Sequence, residues 1–568
     1  MQISLSVTTS QSTISINSEK EQQEQLLFSP MDFTRYPYTD RISVNANGSQ
    51  GIYSMGGSKV SVISANGRYI AFSSNVLAPN PSSNWYERWP YHVYVRDRDY
   101  DNNGIFDEPG PNKTTTILIS KTDAGVPGNL DSGYSEYGTE VIGNINGIDI
   151  SSDGRYVAFI SAATNFYGSQ ATGGPFHVYV VDRDVDNDSC FDEIGFTHLQ
   201  LIDEDYYQNC PGYQGATGVS ISDNGLYVLF GSTSRDMMPD NYSHYLTSKQ
   251  LILQNRSRIK GQFGWRIRLT LPDYENADSF SISKNGKYVV YEKHIVFPQS
   301  DKLLLYNRLT NQIQRLDINQ TGQFANAQCT NPTISENGRF ICFLSCASNL
   351  VSGDTNGQPT LDYGNDVFVL DRDANNNGIF DEQNDRKIVR VSVNSNGEQQ
   401  HGVPSSTTIG YSAQISADGR YVCFTSSASN LVPNDTNDVT DVFLHDCILG
   451  TTHLMSVSTS GVQSLFSSDL PSVSRYGMDI VFTTKGSFIP GDTNELKDIY
   501  LRSNYRLGDV NNDKRVDFFD IDPFVAALNG PDSFYSQYPM GMFLAADTNQ
   551  DGTIDFLDID LFVNLFQN

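Results

Sequence analysis

The sequence predicts a mainly β fold, a seven-bladed β-propeller followed by a small α-helical domain with two calcium loops. Three observations predict it. One strand-and-turn unit recurs seven times, an outer-strand sequence stands near the start of the chain without a blade before it, and a 12-residue acidic pattern is duplicated near the C-terminus. The composition agrees. A chain of 568 residues exceeds the roughly 250–300 residues at which a single core stops growing, so a repeat or several domains is required. Aromatic content of 11%, with 45 Gly and 22 Pro, suits strands and turns.

The recurring unit is Ser, two residues, Gly, then an alternating strand. It reads SANGRYIAF from Ser64, SSDGRYVAF from Ser151, SDNGLYVLF from Ser222, SKNGKYVVY from Ser283, SENGRFICF from Ser335, SADGRYVCF from Ser416 and SRYGMDIVF from Ser474. Asn-Gly or Asp-Gly is expected to form a tight primed turn, the alternation then facing a core. Tyr476 before Gly477 makes the last turn the weakest. A further strand follows several hairpins, at His92, His177, Asp366, Asp441 and Asp498, and an outer one after that, as in RVSVNSNG from Arg390. Each unit thus supplies about four strands, one blade. The seventh runs out after Ser503 without an outer strand, whereas RISVNANG from Arg41 is such a strand without a blade. Residues 41–48 are therefore expected to complete blade 7 and close the ring, which removes exposed edges.

These S-x-x-G-[RK]-[YF]-[IV]-x-F units, with SNLVSGDTN from Ser348, SNLVPNDTN from Ser429 and GSFIPGDTN from Gly486, resemble the bacterial TolB-like, WD-type propeller repeats over residues 35–505. Blades 3 and 4 follow the pattern least well. Such propellers serve many functions, so the resemblance implies the fold and no activity.

Three blades carry an acidic insertion: DRDYDNNGIFDE from Asp97, DRDVDNDSCFDE from Asp182 and DRDANNNGIFDE from Asp371. Oxygen donors at alternate positions beside a turn glycine are what a hard cation such as Ca²⁺ requires. The candidate ligands are Asp99, Asp101, Asn103 and Asp107; Asp184, Asp186, Asp188 and Asp192; and Asp373, Asn375, Asn377 and Asp381. Gly104 and Gly378 turn the first and third loops, while Ser189 stands where glycine belongs in the second. The alternative reading is a solvated acidic turn closed by side-chain-to-backbone hydrogen bonds.

Residues 506–568 hold GDVNNDKRVDFFDIDPFVAAL from Gly508 and ADTNQDGTIDFLDIDLFVNLF from Ala546. Loop positions 1, 3, 5, 9 and 12 are Asp509, Asn511, Asp513, Asp517 and Asp520, then Asp547, Asn549, Asp551, Asp555 and Asp558. Val516 and Ile554 at position 8 are placed for a short pairing between the loops, and each loop precedes an amphipathic helical run, which Pro523 is expected to delay or kink in the first copy. Asp at position 12, the duplication and the C-terminal place resemble a dockerin. The resemblance implies a calcium-folded module that plugs into a cohesin-type partner, commonly in assemblies of extracellular carbohydrate-active enzymes. Dockerins often carry small hydroxylated residues at positions 10 and 11; this chain departs with Phe518 and Phe519, then Phe556 and Leu557. Those side chains either meet a partner or pack within the protein.

The formal charge of −28 and pI near 4.5 argue against a nucleic-acid partner. Loops this acidic need their ions to offset repulsion, which suits millimolar extracellular calcium, so the protein is placed outside the cell or at its surface. The N-terminus lacks the basic and apolar regions of a secretory leader, residues 1–34 read as a polar extension, and no apolar run is long enough to span a bilayer. Seven cysteines leave at least one thiol unpaired, without metal-type spacing; Cys342 and Cys423 read as small buried residues.

No catalytic signature is found: the eight histidines are dispersed, and no nucleophile elbow, P-loop or dinucleotide fingerprint occurs. His92 and His177 share a blade position with Asp366, Asp441 and Asp498. That ring reads as framework hydrogen-bonding to the D-T-N turns, with an acid/base or metal site as the alternative. The leading expectation is a binding or scaffold propeller anchored through its C-terminal module to a cohesin-type protein or cell-surface scaffold, with polysaccharide as a possible ligand. The alternative is a polysaccharide lyase or glycoside hydrolase working at the propeller mouth, since paired carboxylates from distant blades escape sequence spacing.

Overall fold

The computed structural model describes residues 38–568 except 52–55, 78–88, 103–105, 108–109, 135–146, 167–175, 205–214, 235–248, 257–264, 271–274, 296–299, 357–365, 383–384, 402–411, 505–507, 512–515, 517, 539–542, 549–553 and 566–568. Among the described residues seven antiparallel sheets follow one another along the chain, one per repeat. Six have four strands; blade 4 has five, because Glu275–Asn276 and Phe280–Ile282 both pair with the long strand Tyr288–Ile295. The chain is a seven-bladed β-propeller. Among the described residues no helix is long and apolar enough to cross a membrane.

Blade 7 is closed by the N-terminal strand, Tyr38–Arg41, which lies antiparallel to Asp498–Ser503 with Tyr38 opposite Ser503 and Arg41 opposite Tyr500. The closing strand therefore sits earlier than the expected residues 41–48. Only Ile42 extends the ladder, donating its N–H to Ile499 at 2.8 Å. Beyond it Val44 pairs with Gln50 in a small hairpin of its own, one that recurs at Lys121–Pro127, Ile318–Phe324, Val393–Gln399 and Val457–Gln463. The N-G and S-G of these segments serve that hairpin instead of the blade ladder.

The repeat turn is not the expected primed type. Only the glycine has positive φ, as at Gly67 (78°), and its N–H bonds the carbonyl of Ser64 at 3.0 Å. This is an ordinary tight turn followed by a left-handed glycine. The serine explains its own recurrence: the Ser64 hydroxyl donates to Asn66 Oδ1 at 2.6 Å and accepts the N–H of Tyr69 at 2.9 Å, locking both sides of the turn. Even the weak copy folds so, with Gly477 at φ 75° and the Asp479 N–H bonded to the Ser474 hydroxyl at 3.1 Å.

The hydrophobic core lies between blades. One cluster joins Ala71, Val93 and Val95 of blade 1 to Ile148, Val157 and Phe159 of blade 2, and the closure cluster joins Tyr38, Ile70 and Phe72 to Val481, Ile499 and Leu501. Four junctions also carry a polar lock. The aromatic ring after one turn lies against the turn glycine of the next blade, and an arginine at the end of that blade's third strand covers the ring. Arg183 covers Tyr69 at 4.7 Å, Arg256 covers Tyr156 at 4.9 Å, Arg308 covers Tyr227 at 4.1 Å and Arg372 covers Tyr288 at 4.5 Å. The same arginines donate to the glycine carbonyls, Arg183 to Gly154 and Arg256 to Gly225 at 2.7 Å. At the closing junction Asp479 replaces the aromatic and pairs with Arg98 at 3.2 Å, so the ends of the ring meet through an ion pair where those four junctions use a cation–π contact.

Candidate metal centres and docking surface

The three insertions leave the ring beside the turn glycines. Strand three ends in Asp97, Asp182 or Asp371, and the arginine after the turn glycine grips it: Arg68 at 2.8 Å, Arg155 at 2.8 Å and Arg339 at 2.7 Å. Each of these arginines reaches onward to the loop, bonding Asn102 Oδ1 at 2.6 Å, Asn187 Oδ1 at 2.6 Å and Asn376 Oδ1 at 2.5 Å. The three asparagines have positive φ, 55°, 61° and 59°, a conformation asparagine tolerates better than most residues.

Within these loops the predicted ligands divide. Asp99, Asp184 and Asp373 are buried at the loop starts. Asp107, Asp192 and Asp381 at the ends pair with the buried arginines Arg98, Arg183 and Arg372 at 2.7, 2.5 and 2.5 Å. For Asp107 these partners overcome the penalty of burial and hold the carboxyl below its ordinary value. Asp101 pairs with Lys113 at 2.6 Å, and Asn103 lies outside the described residues. In blade 5 the oxygens are engaged locally: Asp373 accepts the N–H groups of Asn377 and Gly378 at 3.0 Å, and Asn375 Oδ1 accepts that of Asn377 at 3.0 Å. The Asn375 and Asn377 amides both donate to Glu382. These bonds close an acidic turn from side chain to backbone.

Blade 2 differs. The ligand oxygens of Asp184, Asp186 and Asp188 lie within 4.8 Å of one another, the one such acidic group among the described residues. Ser189 adopts φ 71°, close to the 82° of Gly378, so the missing glycine does not alter the turn. The negative field is felt next door, where Asp188 raises the thiol pKa of exposed Cys190. Three convergent carboxylates are a donor set for a hard divalent cation.

On the opposite ends of the strands, the His and Asp positions are framework. His92 Nδ1 meets the Ser120 hydroxyl at 3.3 Å and His177 Nδ1 meets Asp203 at 3.0 Å. Asp366, Asp441 and Asp498 accept hydroxyls of Ser392, Ser456 and Ser43 at 2.6, 2.5 and 2.5 Å. The D-T-N contact is present as well, Asn437 donating to Asp441 at 2.8 Å. Burial raises Asp441 and Asp498 to about 6 and lowers His92 to about 4. The serine partners lie on outer strands or their continuations, a link that the sequence motifs contain but that spacing did not suggest. Cys342 and Cys423 are fully buried, and burial pushes the Cys423 thiol up to about 12.

The C-terminal segment forms α1 (Ile521–Ala527), α2 (Pro531–Gln537) and α3 (Asp558–Leu565). Its two halves meet through Phe524 and Phe562, stacked 3.9 Å apart at 15°, and through the Gly508 N–H bonded to the Ala545 carbonyl at 2.8 Å. Pro523 lies in the first turn of α1, where no N–H is needed, and α1 begins one pattern position later than α3, behind a short 3₁₀ turn at Phe518–Asp520. Val516 and Ile554 form no β-bridge among the described residues.

Of the loop acids, Asp509, Asp520, Asp547 and Asp558 are buried at 0–7% exposure. Asp520 Oδ1 accepts the Asn511 N–H at 2.9 Å, and Asp558 Oδ2 accepts the Asp555 N–H at 2.9 Å. Asp513, Asp517, Asn549 and Asp551 lie outside the described residues. Positions 10 and 11 point outward in both copies: Phe518 is 80% exposed, Phe519 76%, Phe556 81% and Leu557 69%. The module touches the ring elsewhere. Tyr535 of α2 lies 4.4 Å from the Arg420 guanidinium of blade 6, whose third and fourth strands are joined by a short turn without an insertion. It covers Arg420 where the insertions of blades 1, 2 and 5 hold the equivalent arginines.

Neither a family model nor a curated protein matches the sequence. Among solved structures, an oligogalacturonate lyase from Vibrio parahaemolyticus is similar at 10% identity over 82% of this chain and 96% of its own, with TM-score 0.42. The β-propeller domain of the Trilobed protease from Pyrococcus furiosus is similar at 10% identity over 80% and 95%, with TM-score 0.42. A TolB from Agrobacterium tumefaciens is similar at 12% identity over 59% and 79%, with TM-score 0.29.

Proposed function

We propose that this chain is an extracellular, calcium-stabilised binding protein whose ring recognises a ligand and whose C-terminal module fastens it to a cohesin-type partner. The observation that carries the reading is the pair of outward-facing hydrophobic dipeptides, Phe518-Phe519 and Phe556-Leu557, at equivalent positions of the two loops. Four large apolar side chains at 69–81% exposure forgo most of the roughly 1.5–3 kcal/mol each that full burial would supply, and one repeated docking face accounts for both copies.

The acids of the C-terminal segment support the calcium part of the same reading. Residues 508–568 contain eleven aspartates against Lys514 and Arg515 alone. Burying carboxylates at both ends of each loop suits a cation with several oxygen ligands. Asp509, Asn511, Asp513, Asp517 and Asp520 would hold one ion, and Asp547, Asn549, Asp551, Asp555 and Asp558 the other. In the ring, Asp184, Asp186 and Asp188 are the best-placed donors.

A carbohydrate-active enzyme working at the propeller mouth is the second reading. Asp441 and Asp498, held near 6, lie in the range of a general acid. Both are buried against serines, so a substrate would reach them only through rearranged loops.

Binding to a panel of immobilised cohesin domains decides the first reading. In millimolar calcium at least one cohesin should retain the chain. Chelation should release it, and the quadruple variant Phe518→Ser, Phe519→Thr, Phe556→Ser, Leu557→Thr should bind at least tenfold more weakly. A variant that binds like the native chain, or a native chain retained by no cohesin, refutes docking through these residues. Turnover of any polymer in a parallel panel that includes oligogalacturonate would replace pure binding with the enzymatic reading.

A further inference from the structure

Blade 4 lacks an insertion. Its third strand, Ser300–Asn307, returns through a short turn to the outer strand Gln312–Arg315, whereas blade 5 beside it carries the long loop after Asp371. The mismatch in length leaves a cleft of about 780 Å³ between the turn of one blade and the insertion of the next. Its volume falls within the roughly 300–1,000 Å³ of small-ligand sites.

The lining is amphipathic in a specific way. Tyr288 and Phe380, with ring centroids 6.1 Å apart, supply aromatic surface, and Ile313 and Ile379 are 54% and 58% exposed beside them. The polar groups are mostly amides. Asn285 Oδ1 accepts the Ser283 hydroxyl at 2.8 Å and the Lys287 N–H at 2.9 Å; Asn337 Oδ1 accepts the Ser335 hydroxyl at 3.1 Å and the Arg339 N–H at 2.9 Å. Asn307 Oδ1 accepts the N–H of Leu309 at 3.0 Å. The repeat turns thus fix Asn285 and Asn337 by their oxygens and the turn after the third strand fixes Asn307, while their Nδ2 groups make no hydrogen bond among the described residues. The side-chain amides of Gln312 and Gln314 are likewise uncommitted there. Charge is scarce, since Arg372 and Asp381 pair with each other at 2.5 Å and leave Lys287 as the one charged group of the lining without an ion pair among the described residues.

We propose that this cleft binds a neutral oligosaccharide, an inference that rests on reading the ring as a binding module and names its ligand class. Side-chain amides carry donor and acceptor together, which matches hydroxyls that both donate and accept. The exposed aliphatic and aromatic side chains suit the C–H faces of sugar rings. A polyanionic sugar would meet the repulsion of a chain with formal charge −28.

The test is calorimetric titration of the full chain with neutral hexasaccharides of glucose, mannose, xylose and galactose, and with oligogalacturonate as the charged counterpart. At least one neutral hexasaccharide should bind, and Gln312→Ala/Gln314→Ala on the outer strand should weaken it at least tenfold. Melting temperature and cohesin retention should stay unchanged, which separates failure here from failure of docking. Ile313→Asp, at an exposed position, is expected to abolish binding by a second route. No binding by any neutral sugar, binding of oligogalacturonate alone, or unchanged affinity in both variants would overturn the proposal.

Discussion

Gly154→Ala is expected to destabilise the ring by about 3–5 kcal/mol, whereas Gly397→Ala should cost only about 1–2 kcal/mol. Both glycines have φ near +80°, where an L-residue pays the left-handed penalty, so backbone strain is common to the two. They differ in surroundings. A Cβ on Gly154 would lie 2.2 Å from Cδ2 of Tyr69, the ring that is itself covered by Arg183, while one on Gly397 meets nothing within 4 Å. The same collision awaits Gly225, Gly338 and Gly419 against Tyr156, Tyr288 and Phe340. Chemical denaturation of both variants measures the difference. Equal losses would mean that the aromatic rings yield and that blade contact does not explain the glycines.

Arg183→Met should be comparably damaging, about 3–5 kcal/mol, because it strands a carboxylate inside the protein. Arg183 is fully buried, its electrostatic partner is Asp192 at 2.5 Å, and it also donates to Gly154 and covers Tyr69. Burial alone would lower the guanidinium pKa; the carboxylate outweighs it and raises the pKa. Adding Asp192→Asn removes the stranded charge while keeping a residue that accepts the positive φ of 66° at that position. The double variant should therefore be more stable than Arg183→Met by at least about 1 kcal/mol. If the second change adds to the loss, Asp192 matters for something other than its arginine, and a cation ligand becomes the better account of it.

What could be read from residues alone followed the range of the interaction. Six of the seven turns were legible because Ser, Asn or Asp, and Gly act within six residues, as the Ser64 hydroxyl bonding Asn66 and Tyr69 illustrates, and the seventh because it keeps the Ser and the Gly. Ring closure was legible from an orphan outer strand, though its register shifted because residues 44–50 form their own hairpin. The arginine locks were missed. Their signal was present in the arginines after the third strands, Arg183 and Arg372 in DRD segments and Arg256 and Arg308 after an asparagine, but its meaning depends on a tyrosine in the preceding blade, 114 residues earlier for Arg183 and Tyr69. For the same reason the ion pairs of Asp107, Asp192 and Asp381 with Arg98, Arg183 and Arg372 were not legible. The aromatic residues at positions 10 and 11 were visible in the sequence, whereas their exposure was not, since periodicity left both a buried and a docked reading open.

Calcium is the hinge of the functional account, and the most direct measurement is the number of ions retained by the full chain in equilibrium dialysis against millimolar calcium, before and after Asp520→Asn/Asp558→Asn. The prediction is that the native chain holds calcium and that the variant loses the ions of both C-terminal loops together with helical signal. A native chain that retains none, or a variant that retains as many as the native chain, would contradict it.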